Sequence, residues 1–91
     1  VAAVVSDILE RDQRYPPIAV RRGWEGTALV EVRIAEGGLF TRVTLRESTG
    51  FEPLDYEAMR KVARMRKLPD TVPGPESGHM VVQVPIRFII Q

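Results

Sequence analysis

The chain has no cysteine, so a disulfide, a thiol nucleophile or a Cys-ligated zinc is out of reach. Histidine occurs once, at His79, in a Gly/Ser-rich stretch. One imidazole does not make a metal site, and no His-x-x-Glu-His or similar spacing surrounds it. A solvated loop residue is the expected role. Long apolar runs are missing too. Val1-Ala2-Ala3-Val4-Val5 gives way at once to Ser6 and Asp7, far short of the ~20 residues that cross a bilayer. It also lacks the basic flank of a signal peptide, so any membrane anchor is expected outside this sequence. Charge of one sign is not in excess: the formal net charge is +1, which argues against a dedicated nucleic-acid binder. Aromatic residues do not interleave with the basic ones, which argues against single-stranded nucleic acid. The carboxylates are scattered over polar faces and helix starts. Gly23-Trp24-Glu25-Gly26 and Glu36-Gly37-Gly38 do not lead a strand into a helix with the Lys-Ser/Thr of a phosphate loop. A nucleophile or acid/base pair placed by the fold is therefore not visible. The chain reads as a non-enzyme with no cofactor.

What is present suffices for one small domain. The chain has 91 residues, 44% of them apolar, too many for a disordered tail. A domain of this size buries about 60–65% of the surface of its unfolded chain. Residues 1–13 predict a helix, with Val4, Val5, Ile8 and Leu9 on one face. Tyr15-Pro16-Pro17 ends it, because proline excludes the helical conformation from the residue before it. A short helical turn is expected over Ile18 to Arg22, closed by Gly23.

Thr27 to Ala35 alternates with a period of two: Ala28, Val30, Val32 and Ile34 on one face, Thr27, Glu31 and Arg33 on the other, with Leu29 the one apolar intruder. Glu36-Gly37-Gly38 is turn chemistry. Phe40 to Glu47 alternates again, with Val43 and Leu45 inward and Arg42, Thr44 and Arg46 outward, so the two strands predict a hairpin. A helix follows from about Pro53 or Asp55 to Lys67. Its apolar stripe is Leu54, Ala58, Met59, Val62 and Met65, its acidic start and basic end suit the helix dipole, and Pro69 is its stop. Asp70 to Gly78 is a loop. Val81 to Ile90 is the last strand, with Val82, Val84, Ile86, Phe88 and Ile90 on one face and Gln83, Pro85 and Arg87 on the other.

The pattern predicts an α+β fold of two layers, a three-stranded antiparallel sheet with helices packed on one face. A right-handed crossover through the long helix puts the last strand beside the first, giving the order 2-1-3. Arg60, Lys61 and Arg64 are expected on the solvated side of that helix, their removal changing stability by no more than about 0.5 kcal/mol each. Trp24 is expected to pack against the end of the sheet. Pro85 marks the last strand as an edge, because a proline is tolerated where its missing N–H would face outward. Val81, Gln83, Arg87 and Ile89 then face outward with it.

Taken in order, these landmarks resemble the TonB C-terminal domain family. They are Tyr15-Pro16, Arg22-Gly23-Trp24-Glu25-Gly26, Gly37-Gly38, Ser48-Thr49-Gly50, Leu54-Asp55 with Ala58-Met59 and Val62, Arg66-Lys67-Leu68-Pro69, and Val84-Pro85-Ile86-Arg87-Phe88. The resemblance covers residues 15–90, so residues 1–14 read as an N-terminal helix or the end of a spacer, and 15–91 as the domain. It implies a periplasmic interaction domain, anchored to the inner membrane by a segment outside this chain. The partner it implies is an outer-membrane transporter for siderophore, haem or cobalamin, gripped through a short segment, the TonB box. Proton-motive force is supplied through ExbB–ExbD. By the same resemblance, the TonB box adds as a strand to the edge carrying Val81, Gln83, Pro85, Arg87 and Ile89, with the carbonyl of Pro85 available to it. Gln13, Arg14, Tyr15 and Pro16 stand where the family has its Gln-Pro-Gln-Tyr-Pro segment beside the receptor. Asp12 and Arg14 depart from that pattern, and Ile18 stands where an arginine often follows. The isolated domain is expected to be a monomer or weak homodimer. The alternatives are a TolA-like domain, which usually carries a disulfide, another TonB-like periplasmic domain, and a small α+β enzyme resembling acylphosphatase, which would need a phosphate loop.

Overall fold

The computed structural model describes residues 1–90. Its elements are α1 (Ala2–Glu10), α2 (Pro17–Arg22), β1 (Gly26–Ala35), a 3-10 turn at Glu36–Gly38, β2 (Phe40–Glu47), α3 (Glu52–Met65) and β3 (His79–Phe88). The three strands form one antiparallel sheet in the order β2-β1-β3, as the crossover argument predicts.

The alternation of the central strand builds the core. Ala28, Val30, Val32 and Ile34 of β1 are fully buried, joined by Val84, Ile86 and Phe88 of β3. Leu54, Ala58 and Val62 of α3 close over them, and Val5 and Leu9 of α1 enter the same cluster. Burying each Val, Leu, Ile or Phe of this set stabilises by about 1.5–3 kcal/mol. The opposite face of the sheet is polar. There Glu31 accepts from Arg46 at 3.1 Å and from Gln83 at 3.5 Å. Arg33 lies directly across from Arg42, a like-charge pair that weakens a sheet, and turns its guanidinium to the ring nitrogen of His79 at 2.7 Å.

Local chemistry sets the ends of the elements. Pro17 opens α2 and Gly23 closes it in the left-handed conformation, with φ +70°. The β1–β2 connection uses Gly37 and Gly38 at φ +86° and +88°. At Gly38 an added Cβ would also meet the Leu68 side chain at 3.3 Å. Before α3, the Asp55 carboxylate receives the Thr49 N–H at 2.7 Å and the hydroxyls of Thr49 and Ser48, tying the turn to the helix.

Several boundaries differ from the sequence expectation. α1 stops at Glu10 rather than continuing to residue 13. Within it, Val5 and Leu9 are buried while Val4 is exposed and Ile8 half-buried. α3 stops at Met65, and its stop is Arg66 at φ +64°, not Pro69. The chain turns there because residues 66–68 leave the helix to pair with the turn: Phe40 N–H donates to the Arg66 carbonyl at 2.8 Å and Leu68 N–H to Gly38 at 2.9 Å. His79 is the first residue of β3 rather than a loop residue, paired with Ala35, and β3 ends at Phe88, leaving Ile90 outside it.

The basic face of α3 is the largest correction. Lys61 is 5% exposed and Arg64 is half-buried, while Arg60 is exposed as expected. Lys61 falls at the helical spacing that places it among Leu54, Ala58 and Val62, so it is swept into the interface that covers the sheet. Its removal is therefore expected to cost more than an ordinary surface change.

Candidate functional site

The outer edge of β3 and the segment between α1 and α2 meet in a groove of about 440 Å³. Its construction starts at Pro85, which pairs with Leu29 of β1 in the register of the sheet. In an antiparallel strand the N–H and C=O of one residue point to the same side. The Pro85 carbonyl accepts a hydrogen bond at 3.1 Å from the hydroxyl of Ser6, which lies outside the sheet. Pro85 therefore faces the outer edge, and by alternation so do the amides of Val81, Gln83 and Arg87. Val81 and Ile89 present exposed apolar side chains along this stretch, while the inward set buries Val84, Ile86 and Phe88.

The expectation that the Pro85 carbonyl is available to a partner is corrected by the Ser6 bond. α1 lies along this edge. Ser6 bonds to Pro85, and one turn further on Glu10 accepts from Arg87 at 3.5 Å. A helix laid over a strand edge satisfies outward-facing polar groups and blocks edge-to-edge association.

The second wall of the groove is the segment after α1. Asp12 fixes it to α3 twice: its carbonyl accepts from the Lys61 ammonium at 2.8 Å, and its carboxylate accepts from Arg64 at 3.0 Å. Arg64 also donates to Glu57 at 2.7 Å, and the Asp12 carboxylate receives the Arg14 N–H at 3.2 Å. Burial works to raise the Asp12 carboxyl. The hydrogen bonds from Arg64 and Arg14 and the nearby charges of Arg64 and Lys61 outweigh it and hold the group below the usual carboxylate range. Burial pushes the Lys61 ammonium down, against the pull of Asp12 and Glu57. The same ammonium lies 4.7 Å from the centre of the Phe88 ring, a cation–π contact.

Tyr15 is anchored rather than offered. Its ring meets Phe88 edge-on at 5.5 Å and its hydroxyl donates to the Trp24 carbonyl. Burial and the charge of Glu25 push its phenol up. Trp24 is half-buried, packs against the core and stacks on Phe51, at the start of α3, with ring centres 4.8 Å apart.

The two groups of residues singled out from the sequence thus converge. Gln13, Arg14 and Tyr15 line the same groove as Pro85, Arg87 and Ile89. Gln13 and Arg14 are exposed, and Pro16 is half-buried outside the lining. Val81 and Gln83 lie on the same edge, further along β3 and beyond the groove. Sequence reasoning missed Ser6, Glu10 and Lys61. For Lys61 the signal was present, since it lies three residues after Ala58 and one before Val62 on the apolar stripe. For Ser6 there was none, because its partner is 79 positions away. Among the described residues no cluster of His, Cys, Asp and Glu is able to hold a metal ion, and no helix is long and apolar enough to cross a membrane.

An open sheet of three strands, a long crossover helix and a groove beside the last strand define the class, a small two-layer α+β domain. Comparison with known proteins makes the class specific. The family described as Gram-negative bacterial TonB protein C-terminal matches residues 11–90. The protein tonB2 of Pseudomonas aeruginosa is 38% identical over 74 residues, which cover 81% of this chain and 27% of that protein. The TonB protein of Vibrio cholerae is 33% identical over 78 residues, covering 86% of this chain and 32% of that one. The chain therefore spans about a third or less of these relatives. Among solved structures, the Helicobacter pylori TonB C-terminal domain (its residues 179–285) superposes with a TM-score of 0.76 at 24% identity, covering 96% of this chain and 78% of that one; this is a likeness of fold. The HasB C-terminal domain superposes with a TM-score of 0.59 at 31% identity, over 94% of this chain and 66% of that one. The chain belongs to the TonB C-terminal family, a family of non-enzymatic interaction domains.

Proposed function

We propose that this is the receptor-binding domain of a TonB-type energy transducer, which grips the TonB box of an outer-membrane transporter by strand addition to the outer edge of β3. Main-chain hydrogen bonds to the outward amides of Val81, Gln83 and Arg87 supply the grip, and flanking side chains supply selectivity. Residues 15–91 are the binding unit in this reading, and residues 1–14 its adjunct. The transducer holds the domain in the periplasm through an inner-membrane anchor upstream, draws on ExbB–ExbD there, and drives uptake of siderophore, haem or cobalamin.

The observation that carries the reading is the orientation of Pro85. A proline in mid-strand, its nitrogen turned to the outer edge, is joined across one groove by the exposed Gln13 and Arg14. The test is to titrate the isotope-labelled domain with a synthetic TonB-box peptide and follow backbone amides by NMR. Val81, Gln83, Arg87 and Ile89 are expected to shift and gain exchange protection. Changes confined to β2 or to α3 would sink strand addition at this edge.

A further inference from the structure

The edge of β3 that suits an incoming strand is met at Pro85 by a part of this chain. A strand added to β3 lies about 4.7–4.9 Å away in the plane of the sheet. The Ser6 hydroxyl stands 3.1 Å from the Pro85 oxygen on that side, and Glu10 reaches Arg87 at the next outward position. Helix and added strand cannot share the space from Pro85 to Arg87. We propose that α1 is a built-in competitor of the peptide, seated on the β3 edge in the free domain and displaced when an extended peptide adds there. The proposal rests on the strand-addition reading.

The seat of α1 makes it displaceable rather than part of the permanent frame. Its seat is small: Val5 and Leu9 with Ala2 beside them, the Ser6 bond and one exposed ion pair, Glu10 with Arg87 at 3.5 Å.

The segment after it is built differently. Asp12 is fastened by Lys61 and Arg64, and Tyr15 by Phe88 and Trp24. The pivot therefore stays in place while α1 swings, and Gln13 and Arg14 keep their position beside the edge. Apparent affinity for the peptide is the intrinsic affinity reduced by the fraction of molecules with the edge open. Anything that weakens the seat of α1 raises that affinity, and anything that weakens the pivot does not.

The experiment uses the full chain with two substitutions in the seat, Ser6→Ala and Leu9→Ala, and a synthetic TonB-box peptide as probe. Calorimetry is expected to give about 2–10-fold tighter binding for Ser6→Ala, the factor that corresponds to one ordinary hydrogen bond, and a larger gain for Leu9→Ala. In the wild-type complex, exchange protection of the Val5 to Glu10 amides should fall while that of β1 persists. Binding that is unchanged or weaker in Ser6→Ala, with α1 amides still protected in the complex, overturns the competitor while leaving strand addition standing. If Leu9→Ala loosens β1 as well, Ser6→Ala alone decides. A peptide that binds none of the variants, or protects β2 instead, overturns the proposed function and the competitor with it.

Discussion

The ammonium of Lys61, on the long helix, lies 2.8 Å from the carbonyl oxygen of Asp12, on the segment that follows the first helix. A lysine that is 5% exposed has surrendered most of its hydration. It recovers part of it from that carbonyl and from the Phe88 ring. Two truncations separate these contributions. Lys61→Met keeps the aliphatic stem and relieves the desolvated charge, so stability measured by urea unfolding is expected to stay within about 1 kcal/mol of the parent. Lys61→Ala removes the stem as well and is expected to cost about 2–3 kcal/mol. Equal effects of the two would mean that the charge, not the packing, holds the segment.

Acid should loosen the same segment. The folded Asp12 carboxyl sits below its unfolded value, so its contribution is present above the ordinary carboxylate pKa of about 3.9 and is lost as pH falls through the folded value. Asp55, which burial raises but the Ser48 and Thr49 hydrogen bonds bring down further, adds to the same window. Stability is expected to fall progressively as pH drops below about 4. Asp12→Asn should flatten part of that decline, which unfolding curves at a series of pH values would read directly.

Gly26 opens β1 under the turn before α3. A Cβ there would stand 3.0 Å from the Thr49 Cβ and 3.1 Å from its carbonyl oxygen. Backbone cannot give way as a side chain tip does. Gly26→Ala is expected to cost about 1–3 kcal/mol, in the range of overpacking, and to broaden the Thr49 and Gly50 amide signals. An unperturbed melting curve would show that the turn yields freely.

Arg66 ends α3 with φ +64°, a conformation that costs an L-residue roughly 1–2 kcal/mol. Arg66→Gly relieves it against a loss of about 0.5–1 kcal/mol in chain entropy. The expected net gain is about 0.5–1 kcal/mol, visible as a raised melting temperature. The position is far from the groove, so peptide affinity should not change.

Strand alternation makes the sheet legible in the sequence itself. Ala28, Val30, Val32 and Ile34 leave one register open, and Pro85 fixes which strand lies outside. The crossover rule then supplies the strand order. What escapes are features decided by contacts distant in sequence. The stop of α3 at Arg66 depends on Phe40 and Gly38, and the seat of α1 depends on Pro85. Lys61 is misplaced when charge is allowed to outweigh position, although its spacing puts it on the buried stripe. His79 reads as a loop residue because glycine and serine precede it, whereas its role is set by Arg33 across the sheet.

The two ladders of the sheet are not alike. β1 and β3 stay in register from Gly26 opposite Phe88 to Ala35 opposite His79 without a break. The pairing of β1 with β2 slips between Leu29 and Val30 and again between Arg33 and Ile34. Tension drawn along β3 would strain all the rungs of its ladder at the same moment, and they would resist as a set. Tension reaching β2 would meet its rungs in three separate runs and open them in turn. The domain is thus expected to be mechanically anisotropic. Its stiff axis is expected to lie along β3, the strand that takes up the peptide in the proposed function, and in optical-tweezer pulling its rupture force should be higher along that axis than across the hairpin.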